Sequence, residues 1–174
     1  MHTKDTAKKW HAIYTRSRAE KKVLQSLTLA GVECFLPLQK KLHQWKDRKK
    51  WVESPLIPGY CFVRISRKEY DLVLQDSNVV CYITFEGRAA TIPDFQIDQI
   101  KILLKQYEFE VTVSFENFEK GQSVEIIRGP LIGLKGTLLD VRGKHKFMIQ
   151  IEQINTVFTV EVEAEYLTNC PVEA

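Results

Sequence analysis

Phe118-Glu119-Lys120-Gly121-Gln122-Ser123-Val124-Glu125-Ile126-Ile127-Arg128-Gly129-Pro130-Leu131-Ile132-Gly133-Leu134-Lys135-Gly136-Thr137-Leu138-Leu139-Asp140-Val141 is the stretch that decides the fold. Glycines punctuate short β-branched runs. Glycine reaches positive φ without a Cβ clash and so marks tight turns. The spacing predicts a strand over Ser123 to Ile127, a compact turn over Arg128 to Lys135 and a second strand over Gly136 to Arg142. Lys146 to Ile151 and Val157 to Val162 read as two more strands, with Arg142-Gly143-Lys144 as a hairpin turn. Val124, Ile126, Ile149, Ile151, Val157 and Val160 favour strands, so the tail is predicted to be a stable all-β module.

Upstream, the pattern changes. Trp10 to Thr15 reads as a strand. Arg16-Ser17-Arg18 leads into a helix with Val23, Leu24 and Leu27 on one stripe and Gly31 as its stop. Val32 to Leu38 is a strand candidate that Pro37 places at an edge or a bend. Lys40 to Lys50 is a basic projecting hairpin. Tyr60 to Ile65 is a strand with Tyr60 and Phe62 on one face and Cys61, Val63 and Ile65 on the other. Ser66 and Glu69 have capping-box spacing and open a helix with Tyr70, Val73 and Leu74 as its buried stripe. Val79 to Phe85 is a strand ending at the Glu86-Gly87 turn. A third helix follows Pro93-Asp94, with Ile97, Ile100, Leu103 and Leu104 on one face. Glu108 to Asn117 holds three acids and no bases and reads as a linker.

The fold expectation is therefore α+β: a mixed α/β sandwich with a mainly antiparallel sheet, followed by a small all-β barrel. The domains are 1–107, a linker at 108–117, and 118–170. The chain of 174 residues is 44% hydrophobic and 27% charged, as in ordinary soluble proteins. No apolar run approaches the ~20 residues that span a bilayer. The opening Met1 to Lys9 lacks the hydrophobic stretch of a secretion signal. Cys34, Cys61, Cys81 and Cys170 form no CxxC pair, which predicts free thiols in a reducing cytoplasm, with neither zinc nor disulfides. His2, His11, His43 and His145 have no metal-ligand spacing. No nucleophile elbow, phosphate-cradling loop or paired-carboxylate motif is present, so neither an enzyme nor a cofactor is expected.

Charge is uneven. Residues 1–107 carry 19 Lys and Arg against 11 Asp and Glu; residues 108–174 carry 6 against 11. This points to two modules with different partners, the first facing a polyanion. Two basic groups stand out. Lys46, Arg48, Lys49 and Lys50, with Lys40 and Lys41, are interleaved with His43, Trp45 and Trp51. Arg16, Arg18, Lys21 and Lys22 open the first helix. Cations neutralise phosphate and aromatics stack on unpaired bases. Each group is also compatible with an ordinary solvated surface. Tyr60 and Phe62, after the Pro58-Gly59 turn, fit either the core or an apolar seat for a partner helix.

Lys120 to Val141 resembles the KOW motif. Trp10 to Thr15, with Pro58-Gly59-Tyr60 and Phe62-Val63, resembles the N-terminal domain of the NusG family of transcription elongation factors. The pair in this order, over roughly Trp10 to Leu167, is more specific than either alone. Ser54 to Val63 and Gly31 to Pro37 are similar to the specialised UpxY-like and RfaH-like antiterminators of surface polysaccharide operons. The resemblance implies a monomeric cytoplasmic antitermination factor. Its N-terminal domain would bind a coiled coil on the largest subunit of bacterial RNA polymerase through Tyr14, Ile57, Pro58, Tyr60 and Phe62. Arg16, Arg18 and Lys22 would meet the non-template DNA strand. The KOW turn, through Arg128, Pro130, Leu131 and Ile132, would recruit a ribosomal protein or Rho. The helix opening Ser66-Arg67-Lys68-Glu69 lacks the polar gate motif of the specialised members. The alternative function is an RNA-binding ribosome-associated KOW protein, which the acidic second module disfavours.

Overall fold

The computed structural model describes residues 6–106, 109–115, 121–141 and 144–170. The chain divides into two compact units, Met1–Asp94 and Phe95–Ala174.

The first unit is built on an antiparallel sheet. Its strands are β1 (Lys9–Thr15), β2 (Glu33–Phe35), β5 (Tyr60–Ile65) and β6 (Val79–Tyr82), in the order β2-β5-β1-β6, with β9 (Thr91–Ile92) also paired to β1. β1 runs against β5 with Ala12 opposite Phe62 and Tyr14 opposite Tyr60. α1 (Glu20–Leu29) covers one face. Val23 and Leu27 meet Ile13, Cys61, Val63 and Ile65 in a core that also holds Val73, Val79 and Tyr82. The helical stripe thus finds the sheet residues of one parity, as period 3.6 against period 2 demands. Ser66 and Glu69 close their capping box, with the Glu69 carboxylate accepting from the Ser66 amide at 2.8 Å. The box opens a 3-10 turn and α2 (Tyr70–Leu74).

Three expectations are corrected in this unit. Val32 to Leu38 is not one strand. β2 stops at Phe35, and β3 (Leu38–Gln44) begins past Pro37, whose missing N–H cannot serve the ladder. The Val79 to Phe85 strand ends at Tyr82, after which β7 (Thr84–Phe85) and β8 (Arg88–Ala89) form a separate ribbon around Glu86-Gly87. Leu74 is exposed, because a five-residue helix has too few turns to bury the whole stripe. β3 pairs with β4 (Lys49–Pro55) as a two-stranded hairpin, in register from Leu38 opposite Pro55 to Gln44 opposite Lys49.

The second unit begins with α3 (Asp94–Lys105), whose Ile97, Ile100 and Leu103 are buried. Its sheet is six-stranded and antiparallel, in the order β10-β14-β13-β12-β11-β15. The strands are β10 (Thr112–Ser114), β11 (Gln122–Ile126), β12 (Lys135–Val141), β13 (Lys144–Ile151), β14 (Thr156–Glu161) and β15 (Leu167–Asn169). Phe147, Phe158, Ile151 and Val160 fill its core. Four strands were expected, and β10 and β15 are additional. β10 falls inside the segment read as a linker, where Val113 pairs with Phe158. The expected Arg142-Gly143 turn and the first residues of the motif, Phe118 to Lys120, lie outside the described residues. Gly136 is packed too closely for any side chain: a Cβ there would sit 2.3 Å from the Met148 carbonyl and 2.7 Å from the Phe147 ring.

Candidate binding surfaces

Alternation along β1 sends Ile13 into the helix-covered core and Tyr14 to the opposite face. There Tyr14 is 43% exposed and meets Tyr60 edge-to-face, with ring centroids 5.8 Å apart at 81°. Partial burial, reinforced by the adjacent Tyr14, pushes the Tyr60 phenol pKa up. On the other side of Tyr14, its register partner in β6 is the exposed Cys81.

The Pro58-Gly59 turn supports this pair. Gly59 has φ +81°, and a Cβ there would lie 2.7 Å from the Tyr14 ring, so only glycine leaves the ring its place. Three hydrogen bonds fix the turn. Gly59 N–H donates to the buried Glu20 carboxylate at 2.8 Å. Thr15 N–H donates to the Gly59 carbonyl at 2.7 Å, and Tyr60 N–H to the Ile57 carbonyl at 3.2 Å. Glu20 is the first residue of α1, so one buried carboxylate joins the tyrosine seat to the helix start.

The five residues assigned to the polymerase seat therefore separate by depth. Tyr14 and Pro58 are exposed and Tyr60 is half-buried. Ile57 and Phe62 are fully buried, and Phe62 stacks on Phe35 at 5.9 Å. Neither can touch a partner in this conformation, which corrects their reading as surface contacts. They hold the seat from beneath. Sequence reasoning missed Glu20 and Cys81. An acid in the first turn of a helix was the available signal for Glu20.

Arg16, Arg18, Lys21 and Lys22 are all exposed around the start of α1. Arg16 N–H donates to the Asn78 carbonyl at 2.8 Å, and Ala19 N–H to the Arg16 carbonyl at 3.1 Å. Arg18 has φ +60°, a left-handed conformation that costs a non-glycine residue on the order of 1–2 kcal/mol. Lys21 Nζ donates to the Glu53 carbonyl at 2.9 Å and stands 3.7 Å from its carboxylate. This bond fastens the helix start to the base of the β3–β4 hairpin. Along that hairpin every residue from Lys40 to Ser54 is exposed, including Lys46, Arg48, Lys49 and Lys50. His43 and Trp45 meet at 5.2 Å on one face, while Trp51 stands opposite Leu42 on the other.

In the second unit, Gly133 N–H donates to the Ile126 carbonyl at 2.7 Å and Ile126 N–H to the Leu134 carbonyl at 2.9 Å. These close the glycine-rich turn. Arg128, Pro130 and Ile132 face solvent, Ile132 at 63% exposure. Leu131 is buried, which corrects its assignment as a partner contact: it anchors the turn instead. Among the described residues no cluster of three or more His, Cys, Asp or Glu could hold a metal, and no helix is long and apolar enough to cross a membrane.

Residues 8–101 match the family model described as transcription termination factor nusG. Over 92% of its length the chain is 23% identical to the transcription termination/antitermination protein NusG of Staphylococcus carnosus, covering 95% of that protein. It is 26% identical to the NusG of Pseudomonas aeruginosa, over 92% of this chain and 96% of that one. A solved Thermotoga maritima NusG structure superposes with a TM-score of 0.53 at 23% identity, covering 93% of this chain and 97% of that one, which shows a shared fold. A family match over more than half of the sequence, on an antiparallel α/β unit followed by a unit of one helix and a six-stranded antiparallel sheet, places this chain in the NusG family of transcription termination factors.

Proposed function

We propose that the chain is a specialised antitermination factor of the UpxY-like or RfaH-like type, serving a defined operon such as one for surface polysaccharide synthesis. It works without cofactor or metal, as a cytoplasmic monomer. Residues 1–107 bind bacterial RNA polymerase, 108–117 connect, and 118–170 recruit a second partner. The observation that carries the polymerase reading is the Tyr14–Tyr60 pair, with the Tyr14 ring exposed and the Tyr60 ring half-buried against it. Such a pair offers apolar area, at about 25 cal/mol per Å² covered, and two hydroxyls for orientation. A coiled coil of the largest polymerase subunit would seat on these rings and Pro58, with Ile57 and Phe62 as the floor. Arg16, Arg18 and Lys22, beside the seat, would contact the displaced non-template strand. Arg128, Pro130 and Ile132 would meet a ribosomal protein or Rho.

The test is capture of bacterial RNA polymerase by the purified chain, followed by an elongation assay scoring pausing and read-through. Tyr14→Ala and Tyr60→Ala should each abolish capture while the fold persists. Phe62→Ala should fail by unfolding the sheet. If both tyrosine variants hold polymerase normally, the seat lies elsewhere. Co-sedimentation with ribosomes in place of polymerase would favour the RNA-binding alternative.

A further inference from the structure

We propose that a cavity of about 590 Å³ in the first unit binds a nucleoside triphosphate, with Lys9, Arg67 and Arg88 meeting its phosphates and Tyr70 its base. The cavity shares no lining residue with the tyrosine seat, and the proposal does not rest on the polymerase reading.

Three elements bring the cations together. Lys9 stands at the start of β1, opposite Ile65 of β5. Arg67 opens the 3-10 turn Arg67–Glu69, and Arg88 opens β8. All three line the cavity together with His11, and no carboxylate lines it. Among the described residues, none of the three cations is paired with a carboxylate. Glu69, on the same turn as Arg67, is already held by Lys8 at 2.8 Å and by the Ser66 amide. Like charges gathered without a counter-charge repel one another, so folding does not account for the set, and a bound anion does.

Size and an aromatic wall select the anion. The volume equals on the order of twenty waters and falls within the about 300–1,000 Å³ of small-ligand sites, so a lone phosphate would leave most of it empty. Tyr70 is half-buried and stacked on Tyr82, with ring centroids 4.0 Å apart at 14°. The Tyr82 O–H donates to the Tyr70 carbonyl at 2.9 Å. The Tyr70 ring is thus ordered before any ligand arrives, and a base can pack on it with little further loss of side-chain freedom. His11 is fixed as well: its Nδ1–H donates to the Ala90 carbonyl at 3.0 Å and its ring stands edge-on to Tyr82. Three free cations suit a chain of phosphates, and a pre-ordered ring beside them suits a base. A nucleoside triphosphate carries both parts.

The experiment is isothermal titration calorimetry of the full chain with ATP and with GTP in magnesium-free buffer, beside inorganic pyrophosphate as a ligand without a base. At least one triphosphate should bind with a Kd below about 1 mM. Pyrophosphate should bind about 5- to 150-fold more weakly, the range for losing one stacked base. Arg67→Gln and Arg88→Gln should each weaken triphosphate binding about 10- to 150-fold, the range for one charged hydrogen bond. Lys68→Gln removes the same charge one residue away, outside the cavity lining, and should change affinity less than about threefold. Circular dichroism of each variant checks the fold. Absence of binding by both triphosphates at about 1 mM would overturn the proposal. So would equal losses for Arg67→Gln and Lys68→Gln, pyrophosphate binding as tightly as the triphosphate, or displacement of the triphosphate by a short single-stranded DNA without a terminal phosphate. Polymerase capture through Tyr14 and Tyr60 is read separately, so either proposal can fail alone.

Discussion

Replacing Gly59 by alanine tests the geometry of the tyrosine seat at a single atom. The added Cβ would approach Tyr14 Cε2 to 2.7 Å, and Cδ2 and Cζ to 3.4 Å. Two costs follow. Holding a non-glycine residue at φ +81° costs about 1–2 kcal/mol. Tyr14 is open to solvent and can swing away, at the loss of its edge-to-face contact with Tyr60, worth about 0.5–1.5 kcal/mol. Together they come to roughly 1.5–3.5 kcal/mol. The assay is urea unfolding followed by the buried Trp10, in a Trp45→Phe, Trp51→Phe background that leaves it the sole tryptophan of the three. The decisive comparison repeats Gly59→Ala on Tyr14→Ala. There the ring is absent, and only the backbone part, about 1–2 kcal/mol, should remain. If the substitution costs the same in both backgrounds to within about 0.5 kcal/mol, Tyr14 does not sit over Gly59 and the seat as described is wrong.

Gly136→Ala should be more severe, because the obstacle is the Met148 backbone carbonyl and cannot swing aside; circular dichroism should show loss of the second unit's sheet at temperatures where the parent is folded. The Lys8 ammonium, bonded at 2.8 Å, holds the Glu69 carboxyl down at about 2, helped by the Ser66 amide. A depressed folded-state pKa gives stability that is present above the unfolded value near 4.5 and is lost as pH falls toward 2; Glu69→Gln should flatten acid unfolding in that window. Burial raises the Cys34 thiol to about 11 and the Cys61 thiol still further, so both should resist a neutral-pH thiol reagent. Exposed Cys81 should react first, and modifying it should block polymerase capture through the adjacent Tyr14; rapid labelling of Cys61 in the native chain would contradict the packing.

Local chemistry made much of this fold legible in the sequence. The capping box at Ser66 and Glu69, the stripe Val23, Leu24, Leu27 and the glycine stop at Gly31 each act within one or two turns, and the structure carries all three. The misses depend on contacts distant in sequence. β10 and β15 are three-residue strands whose existence rests on partners in β14 and β11, and nothing in an acidic run such as Glu108 to Asn117 announces them. Leu74 has an apolar side chain at the right spacing, but the helix ends before the core reaches it.

Depth was the hidden variable in the binding surfaces. Period-2 alternation correctly pairs Tyr60 with Phe62 on one face, yet one is half-buried and the other wholly so. Parity states which residues share a face; what covers that face is decided elsewhere, here in part by Phe35 across the β2–β5 pair. The same holds in the glycine-rich turn, where Leu131 and Ile132 are chemically near-equivalent neighbours and only one is inside. A surface of this kind consequently has two populations of residues with different mutational signatures. On the proposed reading, substituting Tyr14, Tyr60 or Ile132 should remove contact area from a partner, and the two tyrosines should also lose their ring contact, worth about 0.5–1.5 kcal/mol of stability. Substituting Ile57, Phe62 or Leu131 opens a cavity costing about 2–5 kcal/mol and removes binding only by removing the fold. Binding data alone would score the two sets alike, whereas binding measured beside unfolding separates them.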